Sequence, residues 1–341
     1  MKIARAFTIF ASAVAVAFGC KKNTTETTSL YMNGSMKFDV PEFVEAGDHF
    51  DIEPYGLFKS TDKYSSTVGI YVIVPITGAK DTLRLEGDST AVKFGYDVPD
   101  TVGKFTITAV GFASGYYNSS LSKSFTIIDP ARDSGSITGL DGLDTLFAGY
   151  DDSRPDFICP MYVTTIGGND WLATNEYYLG KAYAGSPVMG PIFGNYLTAD
   201  EARNRQVCPE GWHLSTEDEW VDLATALGCG DAEKGYPFKG IAGSLMVDAK
   251  LFGERLWQYY PDVKITNSAK FYAMPCGYAT VAGESYSFTT LGDYASFWSR
   301  SAGDSLVVRY LHKYSNDVMC LPGVDDGGFA ASVRCVRDRD D

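Results

Sequence analysis

From about Leu30 to Ile128, apolar and polar positions alternate in short runs interrupted by Gly, Pro, Asp and Ser. The runs are Met36–Val40, His49–Glu53, Gly69–Pro75, Thr82–Leu85, Ala91–Tyr96, Lys104–Gly111 and Ser122–Ile128. A period of two places successive side chains on opposite faces of a strand, one dry and one wet. Within Lys104–Gly111, Phe105, Ile107 and Ala109 alternate with Thr106 and Thr108, which predicts the first three as core. Seven runs in roughly 100 residues predict an all-β sandwich over residues 30–129.

Beyond it the pattern changes. Residues 130–139 carry Pro130, Gly135 and several Ser and Asp, and read as a linker. Further on, Met161–Ile166 reads as a strand, Gly167-Gly168 as a turn, and Thr198–Arg203 as helix-compatible. The clearest stretch is Cys208-Pro-Glu-Gly-Trp-His-Leu-Ser-Thr-Glu-Asp-Glu-Trp220. Ser215 or Thr216 can cap a helix whose first turn, Glu217, Asp218 and Glu219, complements its unpaired N–H groups. Trp220, Leu223, Ala224 and Leu227 then follow at helical spacing, and Gly228 stands where a left-handed terminator is wanted. Downstream, Ser244–Trp257 reads as weakly helical, and Lys270–Ala279, Tyr286–Thr289, Ser305–Tyr314 and Ala331–Val336 as strands. Few helices among many irregular segments predict an α+β domain over residues 140–338, a small sheet framework that carries long loops.

The first residues look different again. Lys2 and Arg5 precede an apolar run from Ala6 to Phe18, too short for a spanning helix, so residues 1–19 read as an export signal. Ala17-Phe18-Gly19-Cys20 resembles a bacterial lipobox, which makes Cys20 the expected lipidation site and residues 20–29 a tether. The expected location is the outer membrane, lipid-anchored and facing outwards, with no membrane contact except the anchor. The chain has 43 acidic and 29 basic residues, a formal charge of −14. Loss of Lys2 and Arg5 makes the mature chain more negative still, which disfavours nucleic acid as a partner.

Apart from Cys20 the cysteines are 159, 208, 229, 276, 320 and 335, an even set without CxxC spacing. In an exported chain this reads as up to three disulfides. The pairing expected first is Cys208 with Cys335, because each flanks a strand signal and the long loop so closed would contribute about 4 kcal/mol or more. The other four stay unassigned.

Several of these segments resemble one family. The Cys208–Trp220 stretch, the closing Val333-Arg-Cys-Val-Arg-Asp338, Ile166-Gly-Gly-Asn-Asp-Trp-Leu-Ala-Thr-Asn175 and Phe297-Trp-Ser-Arg-Ser301 are similar, in order, to segments of the Fibrobacter succinogenes major paralogous domain. That resemblance implies a C-type-lectin-like α+β fold, shared with formylglycine-generating enzymes, and supplies no activity. Asp100-Thr-Val-Gly-Lys-Phe-Thr-Ile-Thr-Ala109 resembles a strand segment of bacterial immunoglobulin-like domains, which implies a spacer role for the first domain.

Candidate chemistry is mostly binding. His213 with Glu217 and Glu219 could suggest catalysis, but His213 lies in an apparent strand and no nucleophile motif accompanies it. The chain has three His, none in HxH or HExxH spacing. The expectation is a protein that is not an enzyme. An oxidase of the formylglycine-generating type, with Cys320 and Cys335 as late cysteines, is the most distant alternative. Sugar recognition needs aromatic faces and polar groups on accessible surfaces. The candidates are Trp257, Tyr259, Tyr260, Tyr286, Tyr294 and Arg300. Asp325 and Asp326, between glycines, read first as a solvated turn and second as a calcium site; no other cofactor is expected. The expected function is a non-catalytic surface lipoprotein that binds a glycan or a protein through loops of its second domain. The alternative is a structural or adhesin subunit of a surface assembly.

Overall fold

The computed structural model describes residues 29–59, 68–77, 81–86, 93–131, 135–154, 159–183, 186–258, 263–324 and 327–338. Strand accounts for 47% and helix for 12% of the described residues, a β-rich arrangement of several sheets. Among the described residues no helix is long and apolar enough to cross a membrane.

The alternation in the first part sets its core. A five-stranded sheet runs in the order Phe43–Glu45, Ser119–Ile128, Gly103–Phe112, Gly69–Thr77, Asp81–Glu86, parallel at the first pair and antiparallel thereafter. Two small sheets pair Asn33–Lys37 with Tyr55–Phe58, and His49–Ile52 with Phe94–Asp97. Phe105, Ile107 and Ala109 are buried among Val72, Val74, Tyr96, Phe125 and Ile127. On the opposite face Thr106 and Thr108 meet Ser124 and Ser122 across the strand pair, at 3.3 and 2.8 Å. Phe43–Glu45 and Tyr55–Phe58 form strands too short for a periodicity to show.

Residues 130–139 are not all surface. Ile137–Thr138 pairs with Lys250–Leu251, and Ile137 is buried in a cluster that also takes in Phe43, Ile128, Val188 and Tyr196. Ser186 donates to the Phe43 carbonyl at 3.0 Å, a further tie between the two parts of the chain.

Two sheets frame the rest. One orders Phe147–Tyr150, Pro160–Ile166, Asn169–Leu172, Cys335–Arg337 and Trp212–Leu214. The other orders Lys181–Ala182, Asn195–Thr198, Phe329–Val333, Tyr294–Arg300, Leu306–His312 and Ser315–Leu321, with the hairpin Tyr278–Ala282/Ser285–Thr289 attached to Phe329–Val333. The helix Glu217–Ala226 lies against Pro160–Ile166 and Asn169–Leu172 of the first sheet, and its Trp220, Leu223 and Ala224 share one core with Ile166 and Trp171 there and with Ala295, Phe297, Leu311 and Val318 of the second. Thr216 is its cap, in a capping box with Glu219, and Gly228 follows with φ of 95°.

Some expectations are corrected. Of Ser244–Trp257 only Ser244 and Leu245 are helical, as the end of a short helix Ala242–Leu245, and two short strands, Lys250–Leu251 and Glu254–Arg255, follow. The expected strand over Lys270–Ala279 is irregular until Tyr278, with positive φ at Lys270 and Tyr272. The closing strand is two strands in two sheets, broken at Arg334. There the buried guanidinium donates to Asn175 Oδ1 (2.6 Å) and to the carbonyls of Leu172 (3.0 Å), Phe271 (2.6 Å) and Tyr272 (3.0 Å). It also stacks on Phe271 at 4.4 Å. Burial pulls its pKa down to about 9, which leaves it charged at neutral pH. Four acceptors on two segments, 172–175 and 271–272, thus fix the strained loop at Tyr272, a conformation that persists only when its surroundings over-determine it.

Cys208 and Cys335 are disulfide-bonded across 127 residues, Cα–Cα 5.8 Å. Up to three bridges were expected; Cys159, Cys229, Cys276 and Cys320 are instead free thiols.

Candidate functional site

The sheet containing Tyr294–Arg300 has two unequal faces. Along this strand Tyr294, Ser296, Trp298 and Arg300 point one way, and Ala295, Phe297 and Ser299 point to the helix. At its middle, the first face is covered: Trp298 packs with Leu197, Ala199, Ala202, Val308 and Val333, and its Nε1 donates to the Leu197 carbonyl at 2.7 Å. The two ends are left uncovered, and each presents a different surface.

At the Tyr294 end the register aligns aromatics. Tyr294 lies opposite His312 and Ser296 opposite Tyr310. Ring centroids of Tyr294 lie 4.3 Å from His312, 5.9 Å from Tyr310 and 6.0 Å from Tyr278. Tyr278 in turn stacks on Phe329 at 5.1 Å, and His312 meets Tyr314 at 5.2 Å. Five of these rings are half-buried and Tyr314 is 51% exposed, so together they form an accessible aromatic strip rather than core. An ion pair flanks it, Lys313 with Asp293 at 2.5 Å. Partial burial lowers the pKa of His312 and raises that of Tyr294. At neutral pH the strip therefore presents an uncharged imidazole and a protonated phenol.

At the Arg300 end lies a cavity of about 710 Å³, bounded by Arg154, Tyr178, Gln206, Glu210, His213 and Asp338, with Arg300 in its wall. His213 is held at both nitrogens, Nδ1 by Asp338 at 2.6 Å and Nε2 by Glu219 at 2.8 Å. The Glu219 bond, followed by the weaker pull of Asp338, raises its pKa against the opposing effect of burial. Glu217 faces elsewhere: it is buried against Arg309 in a two-pronged ion pair, Nε to Oε1 2.9 Å, and also accepts from the Gly235 N–H at 2.9 Å. The acidic first turn therefore serves three ends. Glu217 holds a buried arginine, Glu219 caps the helix and grips His213, and exposed Asp218 pairs with Lys234 at 2.6 Å.

Of the expected binding residues, the structure places Tyr294 and Arg300 on one strand face, about 20 Å apart at the usual rise per residue. Tyr286 is on the other face of its hairpin, stacked on Phe288 at 5.9 Å beside the Tyr183 and Tyr196 rings. It is not part of the strip. Trp257 is corrected outright: it is 1% exposed, and its Nε1 donates to the Ala273 carbonyl at 3.2 Å. A buried indole with its one donor satisfied has no face to offer a ligand. Cys20, Tyr259, Tyr260, Asp325 and Asp326 lie outside the described residues. Among the described residues no group of three or more His, Cys, Asp or Glu could hold a metal ion. Sequence reasoning missed Tyr278, Tyr310, His312 and Phe329. Their signal was present as alternation, since Tyr310 and His312 are two apart, but the pairing that gathers them spans distant strands.

Residues 164–337 match the protein family described as the Fibrobacter succinogenes major domain. No curated protein matches. Among solved structures, similarity extends to superoxide reductase (neelaredoxin) from Ignicoccus hospitalis. One structure is 14% identical, covering 31% of this chain and 87% of its own at a TM-score of 0.23. A second is 15% identical, covering 31% and 100%, also at 0.23. A likeness at that TM-score says nothing of fold or chemistry.

Proposed function

The chain belongs to the Fibrobacter succinogenes major domain family, and on that premise we propose that it is a non-catalytic surface lipoprotein whose second, lectin-like domain binds a glycan. In this reading Cys20 carries the lipid, the first domain is an immunoglobulin-like spacer, and the outer face of the outer membrane is the location. The observation that carries the binding role is the aromatic strip of Phe329, Tyr278, Tyr294, Tyr310, His312 and Tyr314. Aromatic faces stack on the apolar side of a pyranose, while phenol hydroxyls and a neutral imidazole take its hydroxyl groups. Moving the site from loops to a sheet face also makes it more rigid, which lowers the ordering cost of binding.

The non-catalytic reading has its own support. His213 has both nitrogens engaged by carboxylates, so it lacks a free base, and Glu217 is committed to Arg309. Cys335 is bonded to Cys208, which leaves Cys320 without a late partner thiol. A glycan array probed with the chain from residue 21 tests the proposal. Binding to neutral glycans should weaken at least about tenfold in Tyr294→Ala, the loss of one good stacking contact. Silence across diverse glycans, together with co-purification of one defined protein, would instead favour a structural or adhesin subunit.

A further inference from the structure

The cavity at the Arg300 end contains an arginine that differs from the other buried ones. Arg154 pairs with Asp151 at 3.1 Å and Glu176 at 3.0 Å, Arg309 with Glu217, and Arg334 donates to four acceptors. Arg300 is half-buried, and its Nε is buried with no hydrogen-bond partner among the described residues. No carboxylate among the described residues pairs with it, although acidic residues outnumber basic ones by 43 to 29. Leaving a buried donor unmet is costly, and more so when it is charged. The half-buried guanidinium thus stands in the cavity wall with no carboxylate among the described residues to balance its charge.

The neighbouring charges narrow the ligand. Asp338 is bound to His213, and Arg154 is neutralised by its own two carboxylates, so neither competes strongly for an anion or for Arg300. Glu210, exposed at the cavity wall, would repel a ligand that was anionic throughout but can accept from hydroxyls. Exposed Gln206 adds an amide, and the Tyr178 ring, 39% exposed, adds an aromatic edge or face. A volume of about 710 Å³ lies within the range of about 300–1,000 Å³ usual for small-molecule sites. The wall is also held in place. The Arg300 N–H donates to the Ser215 carbonyl at 2.8 Å, and the Cys208–Cys335 bridge lies behind the same wall.

We propose that this cavity binds a carboxylated sugar unit, with its carboxylate on Arg300 and its hydroxyls on Gln206 and Glu210. A guanidinium takes a carboxylate through two parallel bonds, which a neutral sugar cannot reproduce. The site is separate from the aromatic strip and does not depend on it.

Calorimetric titration of the chain from residue 21 provides the test, with methyl glucuronoside and sialyllactose, each carrying one carboxylate, as probes and methyl glucoside and lactose as their neutral counterparts. At least one acidic probe should bind, with affinity falling as salt rises, and its neutral counterpart should bind at least about tenfold more weakly. Arg300→Gln should lose at least about tenfold, Arg300→Lys should recover part of the loss, and both should melt as the parent does. Tyr294→Ala should leave acidic-probe affinity unchanged, so failure of the strip and failure of this cavity are told apart. The proposal is overturned if, in the Tyr294→Ala background where the strip is disabled, the neutral counterparts bind as tightly, if adding Arg300→Gln there changes nothing, or if neither acidic probe binds at millimolar concentration. A peptide with a free C-terminal carboxylate that binds at Arg300 more tightly than either sugar also overturns it, by making the ligand a protein terminus.

Discussion

The two parts of this molecule hold themselves together by different means. From residue 29 to 131 every described side chain in the buried class is apolar, apart from the tyrosine hydroxyl of Tyr96, which donates to the Pro75 carbonyl at 2.7 Å. Among the described residues all the buried polar and charged side chains lie at Ser136 or beyond, as do all five tryptophans and the disulfide. A sheet that satisfies its own backbone can be built from alternation alone. A framework of irregular segments cannot, because each loop brings backbone groups inside that need a partner. Arg334 shows the consequence: a single side chain serves the carbonyl of Leu172 at a strand end and those of Phe271 and Tyr272, which lie outside any strand.

The contrast breaks most sharply at Arg309. Removing it as Arg309→Ala leaves Glu217 buried without its partner, and about 3–5 kcal/mol of stability should go with it. Tryptophan fluorescence in urea follows this directly, since Trp171, Trp212, Trp220, Trp257 and Trp298 all report from the second part. In Glu217→Ala/Arg309→Ala the loss should be well below the sum of the two single losses. Simple additivity would show that the pair contributes nothing beyond its separate side chains.

The disulfide is next in size. Closing a loop of 127 residues corresponds to about 5 kcal/mol in the chain-entropy model, and measured losses are typically about 2–5. Cys208→Ser/Cys335→Ser should shift the tryptophan transition by that amount while leaving amide-exchange protection of Gly103–Phe112 unchanged. Equal loss of protection in that strand would mean that the contacts of Phe43 and Ile128 with the second part make the whole chain one cooperative unit. The converse probe is smaller: Ile107→Val, at a position 0% exposed, should cost about 1 kcal/mol. Its effect should appear in exchange from the first part and not in tryptophan fluorescence.

What could be read from the residues follows the same division. Phe105, Ile107 and Ala109 declare their face because neighbours two apart decide it, and Thr216 declares a cap because its partner, Glu219, is three residues away. The Cys208–Cys335 pairing was legible because two strand signals flanked it. Trp257 was misread for the opposite reason. It sits beside Gln258 in a polar-looking stretch, yet it is buried in a core drawn from distant segments, with its Nε1 on the Ala273 carbonyl. The aromatic strip lies between these cases. Tyr294 stood out as a candidate, but only the antiparallel register puts His312 opposite it and Tyr310 opposite Ser296. Arg300 was legible as a candidate, while the want of a partner that sets it apart is a property of the folded surroundings.

The smallest expected effect compares two histidines. His49, in the first part, is exposed and bonded to Asp97 at 2.7 Å; His213, in the second, is half-buried between Glu219 and Asp338. Both pKa values are raised above the ordinary 6.5, for His49 chiefly by the Asp97 bond and for His213 chiefly by the Glu219 bond. A histidine whose folded pKa is raised stabilises fully below its unfolded pKa, and that contribution is lost as pH rises through the folded value. The gap in melting temperature between the parent and His213→Gln should therefore be widest below about pH 6.5 and narrow as pH rises above it. Because the ring is partly solvated, the effect should be about 1 kcal/mol or less. His49→Gln should leave the melts unchanged at every pH, since water screens a fully exposed pair. A pH-independent gap for His213→Gln would show that the ring acts through packing rather than charge, and would remove the last electrostatic distinction between the two parts at their histidines.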